Sequence, residues 1–453
     1  MRRLSILAAS AAILFAVSPC AAQQHVRGAV TVGGPGAATG AEAPSPPLDN
    51  RAVVAEVRRI LAERYVLPER RPALDAIFAR GVAAGRYDVT DPAELAQRIN
   101  ADLETAGHDR HLNFSLNPRQ AAILAAGRGP QPDSSGYERQ VRAANHGITS
   151  LRVLPGNVRY MEYDGFMWIG PESAAALETA MRFLSGGDAV IIDLRRNGGG
   201  SPEAVQYIIS HFLPAGRPLV TFYMNGNASP DRLETLAELP AGRMVGKPLY
   251  VLTSGGSASA AEEFIGHVGG YRIGELVGEN SAGAGFRNEL VPIQGRFVLS
   301  VSVGRAVLAS TGRDWEAVGL APTVPTPVAG ALDAAQSLAL RRLAANAAGP
   351  DRARLEAITE GVAARAEHRS AALPLDAYAG TYGERVLSVG DGRLWLRRGT
   401  RAPLALVPLG GNLFTLDVDP SARLSFEVAG ASATAFAMGP AGQPPQGRFA
   451  RNP

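Results

Sequence analysis

The sequence predicts a layered α/β protein with a small helical domain before its core and a small all-β domain after it. Three observations carry this reading. Between residues 147 and 330, apolar runs of strand length alternate with segments of helical spacing. Upstream, large apolar residues recur only at helical spacing; downstream, they alternate in short runs broken by Gly-rich turns.

The chain opens with Arg2 and Arg3, an apolar run from Leu4 to Val17, and Cys20-Ala21-Ala22 before Gln23. These are the three regions of a secretory signal peptide, so residues 1–22 are expected to be removed after Ala22. The run is too short to span a bilayer comfortably, and no later stretch reaches membrane-spanning length. The expectation is an exported protein, periplasmic or secreted. Cys20 is the only cysteine, which leaves the mature chain without a thiol, a disulfide or a Cys-ligated metal. A lipid anchor on Cys20 is disfavoured by Pro19 beside it.

Residues 23–49 are rich in Gly, Ala, Pro and Ser and poor in large apolar side chains, the composition of a disordered leader. A helical domain is expected over 50–126, from Val53, Val57, Ile60 and Leu61, then Leu74, Ile77 and Phe78, then Leu95, Ile99 and Leu103. Asp91-Pro92 marks a helix start within it. A soft stretch from Gly127 to Gly136 follows. In the α/β domain at 147–330, strands are expected at Val158–Tyr163, Ala189–Leu194, Leu219–Tyr223, Leu249–Thr253 and Ile273–Val277. Helices are expected at Pro171–Leu184, at Pro202–Phe212 and from Ser259, with a hairpin at Gln294-Gly295. Helical spacing returns in a connector over 331–370. The β-domain over 371–453 shows alternation at Leu394, Leu396, Leu404, Leu406, Phe414 and Leu416.

A length of 453 residues admits roughly three domains. The net charge of +3 comes from 45 basic and 42 acidic residues scattered without a basic run or interleaved aromatics, which argues against nucleic acid as a partner.

The segment Leu249–Phe264, LYVLTSGGSASAAEEF, carries the most chemical information. An apolar strand leads through a Gly-rich turn to Ser259 at a helix start, where backbone N–H groups point outward and can stabilise an oxyanion. Ser259 and Glu262 also fit an ordinary capping box. The small neighbours Gly255, Gly256, Ala258, Ala260 and Ala261 favour the chemical reading, because they leave the hydroxyl unobstructed. A second cluster, Asp193-Leu194-Arg195-Arg196-Asn197-Gly198-Gly199-Gly200, follows a strand and precedes a helix. It is either a tight turn or a nest of amides at the strand's C-terminal edge. It matches neither a P-loop nor a dinucleotide fingerprint.

A serine nucleophile needs a base. Lys247 is the only lysine and enters the strand whose far end carries the turn, on the order of 20 Å away at ~3.3 Å per residue. That excludes a Ser-Lys dyad and leaves histidine. His25 lies in the leader and His368 near a linker, while His146, His211 and His267 sit at element edges without an evident charged partner. His108 and His111 occupy a loop-to-strand junction, and His111 is preferred. No second ligand cluster has metal-binding spacing, so no metal or cofactor is expected. Glu316, in Asp314-Trp315-Glu316-Ala317-Val318-Gly319, is the leading late acid, with a solvated loop carboxylate as the alternative.

Four segments in this order and spacing resemble the C-terminal processing, or tail-specific, serine peptidase superfamily. They are Asp109-Arg110-His111-Leu112, Asp193 to Gly200, Ser257 to Glu262 with Gly278-Glu279-Asn280-Ser281-Ala282-Gly283, and Trp315-Glu316 through Gly319 and Pro322. The resemblance covers roughly residues 50 to 330 and implies a crotonase-like βαβ core. Ala284 stands where the lysine-dyad branch carries its lysine, so the chain resembles the branch of the tricorn core and the interphotoreceptor retinoid-binding protein repeats. The resemblance implies Ser259 as nucleophile, His111 as base, Glu316 as its acidic support, and the amides of Gly199 and Ala260 as oxyanion donors. Thr323 replaces the family's aspartate after Pro322, and no stretch is long enough for a PDZ module.

The expected activity is hydrolysis of peptide bonds in a peptide or protein substrate through an acyl-enzyme. A non-catalytic binder of peptide or apolar ligand on the same fold, or an esterase for small acyl groups, is the alternative. Oligomeric state is not legible in the sequence.

Overall fold

The structure, a computed structural model, describes residues 48–107, 109–126, 135–225 and 229–453. The segment expected to be a signal peptide, Cys20, nearly all of the expected leader and His108 lie outside the described residues. In chain order the first elements are helices α1 (Asn50–Arg64), α2 (Arg71–Ala83) and α3 (Pro92–Gly107), strand β1 (Asn113–Leu116), and helices α4 (Pro118–Ala126) and α5 (Ser135–Ala143). Strands β2 (Ile148–Leu154) and β3 (Val158–Tyr163), helix α6 (Pro171–Ser185), strand β4 (Ala189–Asp193) and helix α7 (Pro202–Ser210) follow. Next come β5 (Pro218–Met224), β6 (Asp231–Glu234), β7 (Leu249–Thr253), α8 (Ala260–Gly270), β8 (Glu275–Gly278), β9 (Phe286–Ile293), β10 (Phe297–Leu308) and β11 (Val324–Pro325). Helices α9 (Ala331–Ala345) and α10 (Gly349–Ala366) precede β12 (Gly380–Tyr382), β13 (Arg385–Gly390), β14 (Arg393–Arg398) and β15 (Leu404–Gly410). The chain closes with β16 (Leu413–Leu416), β17 (Ala422–Ala429), β18 (Ser432–Pro440) and β19 (Gly447–Ala450). This is the mixed α/β architecture expected, with a helical N-terminal region and an all-β C-terminal sheet. No helix among the described residues is long and apolar enough to cross a membrane.

The chain divides into two compact units. One contains the residues up to Tyr137 together with Tyr223–Pro230 and Phe286–Arg305; the other contains Glu138–Phe222, Asp231–Gly285 and Ala306–Pro453. In the first unit, α1 begins with Asp49 accepting from the Ala52 amide, a side-chain cap that satisfies one of the helix's open donors. Its buried stripe, Val53, Val57, Ile60 and Leu61, joins Leu74, Phe78, Leu95 and Ile99 of the next two helices. These apolar faces close over sheet residues Phe297, Leu299, Val301 and Val303. Strand β10 lies between β1 and β9, antiparallel to both, with Phe114 opposite Leu299. The hairpin expected within the α/β domain therefore belongs to the helical unit, because the three amphipathic helices need an apolar sheet face to bury.

In the second unit a six-stranded sheet runs β11-β8-β7-β4-β3-β2. All neighbours are parallel except β2 and β3. Every residue of β4 and of β7 is buried, which is why both read as unbroken apolar runs: a parallel sheet covered on both faces has no solvent side to alternate toward. On one face, Val158, Tyr160, Ile191, Tyr250 and Leu252 pack against Ala335, Ala339 and Leu340 of α9 and Ile358 and Val362 of α10. The connector is thus two helices, both of which contribute side chains to this cluster. The parallel connections leave the C-terminal ends of β4 and β7 side by side, the edge where open α/β sheets hold ligands.

The remaining strands form an eight-stranded antiparallel meander in sequence order, β12 through β19. Tyr378, Phe414, Phe426 and Phe436 fill its core, with edge-to-face contacts at centroid distances of 5.0 to 5.3 Å among Tyr378, Phe414 and Phe426.

Phe297 is fully buried and stacks on Phe114 at a centroid distance of 5.0 Å. Phe297→Ala is expected to destabilise the first unit by about 3–5 kcal/mol, read as a lowered urea midpoint for its unfolding.

Candidate active site

Strand β7 ends at Thr253 and α8 begins at Ala260, so the chain must reverse from sheet to helix within six residues, 254–259. Buried hydroxyls make this turn rigid. Ser257 Oγ donates to the Leu194 carbonyl at 2.8 Å and accepts from the Ser254 amide, and Ser254 Oγ donates to the Arg195 carbonyl at 2.6 Å. Of the two serines in Ser257-Ala258-Ser259, Ser257 therefore has its hydroxyl committed to structure.

Ser259 closes the turn with φ 54° and ψ −118°. A non-glycine residue in that region costs about 1–3 kcal/mol and persists only where its surroundings over-determine it. The same strained strand-to-helix geometry lifts a nucleophile clear of the sheet in hydrolase elbows. Immediately after it, the Ala260 amide, first in α8, meets no hydrogen-bond acceptor among the described residues. A first-turn amide without a partner, at the positive end of a helix, is a donor in place for an anion.

The glycine cluster after β4 meets this turn directly. Asp193, buried, takes both arms of the Arg195 guanidinium at 2.9 and 2.6 Å and the Tyr160 hydroxyl at 2.8 Å. Burial and the neighbouring carboxylate push the Tyr160 phenol up, and the carboxylate holds Arg195 above its usual range. This ion pair fixes the start of the loop. Buried Asn197 then donates to the Tyr163 carbonyl at 2.7 Å, while its own carbonyl accepts from the Ala258 amide at 3.0 Å. Gly199 sits at φ +113°, and a Cβ there would come 2.7 Å from the Ser259 Cβ. Only glycine meets both conditions. The Gly199 amide, expected as an oxyanion donor, donates instead to Asn197 Oδ1 at 2.9 Å. Of the expected donor pair, the Ala260 amide alone is open in this structure, and the contribution of Gly199 is the room it leaves beside Ser259.

Glu316 is half-buried in the loop before β11, behind buried Trp315, whose indole N–H donates to the Ala284 carbonyl at 3.1 Å. The Gly285 amide donates to Glu316 Oε2 at 2.6 Å. A side chain at Gly285 would strike the Glu316 amide at 2.7 Å, so this close approach also needs glycine. Ala284, at the position of the dyad branch's lysine, carries no base. Lys247 Nζ binds the carbonyls of Ser185 and Gly187 near the C-terminus of α6. At Thr323 the hydroxyl accepts from the Leu276 amide at 2.9 Å.

In the first unit, His111 lies in the turn before β1. Its amide donates to Asp109 Oδ1 at 2.9 Å and its carbonyl accepts from Ser300 Oγ. The residue is 7% exposed, and its Nδ1 has no hydrogen-bond partner among the described residues. Burial pulls the imidazole below its usual 6.5, with Asp109 opposing. The ring is therefore neutral at pH 7, the form that can accept a proton. Two other histidines require correction, since both have acidic neighbours. His267 is fully buried on α8 with Nε2 3.5 Å from Glu263 Oε1, and His146 bonds Ser173 Oγ at 2.9 Å with Glu172 3.9 Å away. His211 Nδ1 is held by the Tyr207 carbonyl at 2.9 Å.

Two outcomes are expected. Because glycine adopts positive φ without strain, Ser259→Gly should be more stable than Ser259→Ala by about 1 kcal/mol in urea unfolding. Because the His111 pKa is lower folded than unfolded, its stabilisation is complete above pH 6.5 and is lost as pH falls through the folded value. His111→Asn should flatten that acid limb of the stability–pH curve.

Residues 157–326 match peptidase family S41, and residues 49–140 match the N-terminal domain of peptidase S41 in eukaryotic IRBP. The chloroplastic carboxyl-terminal-processing peptidase 2 of Arabidopsis thaliana is 28% identical over 262 residues, 55% of this chain and 48% of that protein. The carboxy-terminal processing protease CtpB of Bacillus subtilis (strain 168) is 29% identical over 106 residues, 23% of this chain and 21% of that protein. The chain spans less than half the length of either relative. The solved photosystem II D1 C-terminal processing protease is 17% identical, with a TM-score of 0.42 over 62% of this chain and 94% of that one. The two family matches together cover more than half of the chain and include the turn carrying Ser259, the glycine cluster and the Glu316 loop: the chain belongs to peptidase family S41, the tail-specific peptidases.

Proposed function

We propose that this chain is an exported serine peptidase that cleaves peptide bonds through an acyl-enzyme, with Ser259 as nucleophile, His111 as base and Glu316 as its acidic support. The observation that carries the reading is the strained conformation of Ser259 beside the unpartnered Ala260 amide. A helix cap requires neither. The neutral His111 imidazole takes the Ser259 hydroxyl proton as Oγ adds to the substrate carbonyl. The oxyanion accepts from the Ala260 N–H, a contribution of about 3 kcal/mol to barrier lowering. The imidazolium then protonates the leaving amine as the C–N bond breaks. Water, deprotonated by the same ring, releases the acyl group and restores Ser259. The Gly285 amide on Glu316 keeps that side chain oriented. The export assignment rests on residues 1–22 of the sequence.

A non-catalytic binder on the same fold is the second reading, favoured by one observation: the engagement of the Gly199 amide by Asn197, which leaves a single open donor. A fluorophosphonate probe separates the two. Stoichiometric labelling that disappears in Ser259→Ala, with hydrolysis of an unstructured peptide lost in the same variant, is the expected result. Folded wild-type protein that neither labels nor hydrolyses peptide identifies the binder.

A further inference from the structure

Glu262 is the third residue of α8 and is completely buried. A buried carboxylate is costly unless its oxygens are fully bonded. Here each oxygen accepts twice. Oε2 takes the Ser259 amide at 2.9 Å and the Ala284 amide at 2.7 Å. Oε1 takes Ser281 Oγ at 2.6 Å and the Gly283 amide at 2.7 Å. An ordinary capping box accounts for the first of these bonds alone. The other three reach the segment 281–284, which is itself bonded to the loop of Glu316. The Gly283 carbonyl accepts from the Ala317 amide at 2.9 Å, the Ala284 carbonyl accepts from the Trp315 indole, and Ser281 Oγ accepts from the Leu320 amide at 2.7 Å. The next residue, Gly285, donates to Glu316.

The geometry points to Glu262 as a positioning residue that holds Ser259 in its strained conformation and ties it, through 281–284, to the segment that orients Glu316. This rests on the peptidase reading above. Four donors converge on one carboxylate, and no neutral side chain of this shape can replace it. The amide nitrogen of a glutamine has to face two N–H groups or an N–H and a hydroxyl, whichever way it is turned. With the nitrogen toward Ser259, the serine loses its anchor and relaxes toward negative φ; with the nitrogen toward Gly283, the tie to 281–283 is broken and the anchor loses its support. A misplacement of about 1 Å at a nucleophile costs on the order of 100-fold in rate.

The test compares wild type, Glu262→Gln, Glu262→Asp and Ser281→Ala by fluorophosphonate labelling rate, by kcat and KM on a peptide, and by crystal structure. Labelling and kcat are expected to fall about 100-fold in Glu262→Gln with KM nearly unchanged. They should recover partly in Glu262→Asp, which retains the charge, and fall about 10-fold in Ser281→Ala. A purely structural carboxylate would lower stability without splitting kcat from KM. Rates within threefold of wild type in folded Glu262→Gln overturn the proposal. If that variant does not fold, unchanged rates in Ser281→Ala overturn it. If wild type is itself inert, the peptidase reading fails. The crystal structures then decide positioning alone: Ser259 leaving positive φ in Glu262→Gln, or in Ser281→Ala where the glutamine variant does not fold, supports it, and Ser259 remaining near 54° overturns it.

Discussion

The turn from β7 into α8 is the constraint on which the rest of the second unit depends. A parallel strand buried on both faces delivers the chain to its C-terminal edge with no side chain exposed. The chain must then leave the sheet sharply enough to begin a helix on one face. That reversal forces one residue into positive φ, and the residue is Ser259. The strain is not dispersed. Ser254 and Ser257 bond the β4 loop through their hydroxyls, and the amides of Ala258 and Ser259 bond Asn197 and Glu262, so the strained position is held from outside the turn. Such over-determination is the condition under which a conformation costing about 1–3 kcal/mol survives.

The three sequence signatures around this turn are consequences of that packing as much as of chemistry. Asp193 and Arg195 pair with each other and with Tyr160, setting the exit of β4. Gly199 is glycine because its φ is +113° and the Ser259 Cβ occupies the space of a side chain. Gly285 is glycine because the Glu316 backbone lies against it. In this chain the Ala284 amide and carbonyl are both used for structure, bonded to Glu262 and Trp315.

His111 is prepared differently. Burial holds its imidazole below the usual range, and Asp109, two residues earlier, fixes the turn through the His111 amide. A buried, neutral imidazole with an unbonded Nδ1 is a poor structural element and a good proton acceptor. The histidine's backbone amide and carbonyl are both engaged, while its buried Nδ1 has no partner among the described residues.

The sequence by itself determined the mixed α/β class, the buried strands β4 and β7, the helix starting after Ser259, and the four segments that mark the family. These signals are local: unbroken apolar runs, small residues around a serine, and glycines at turns are written in a few consecutive positions. Tertiary structure decided what depends on neighbours distant in sequence. Phe286–Arg305 joins the helical unit because Val53, Leu74 and Ile99 bury against Phe297 and Val301, a choice no periodicity records. The Gly199 amide turns to Asn197 because that side chain is pinned by Tyr163. Glu262 reads in sequence as a helix cap, since its other three donors come from residues 281–284, about twenty positions downstream, and only folding brings a carboxylate's full set of partners together.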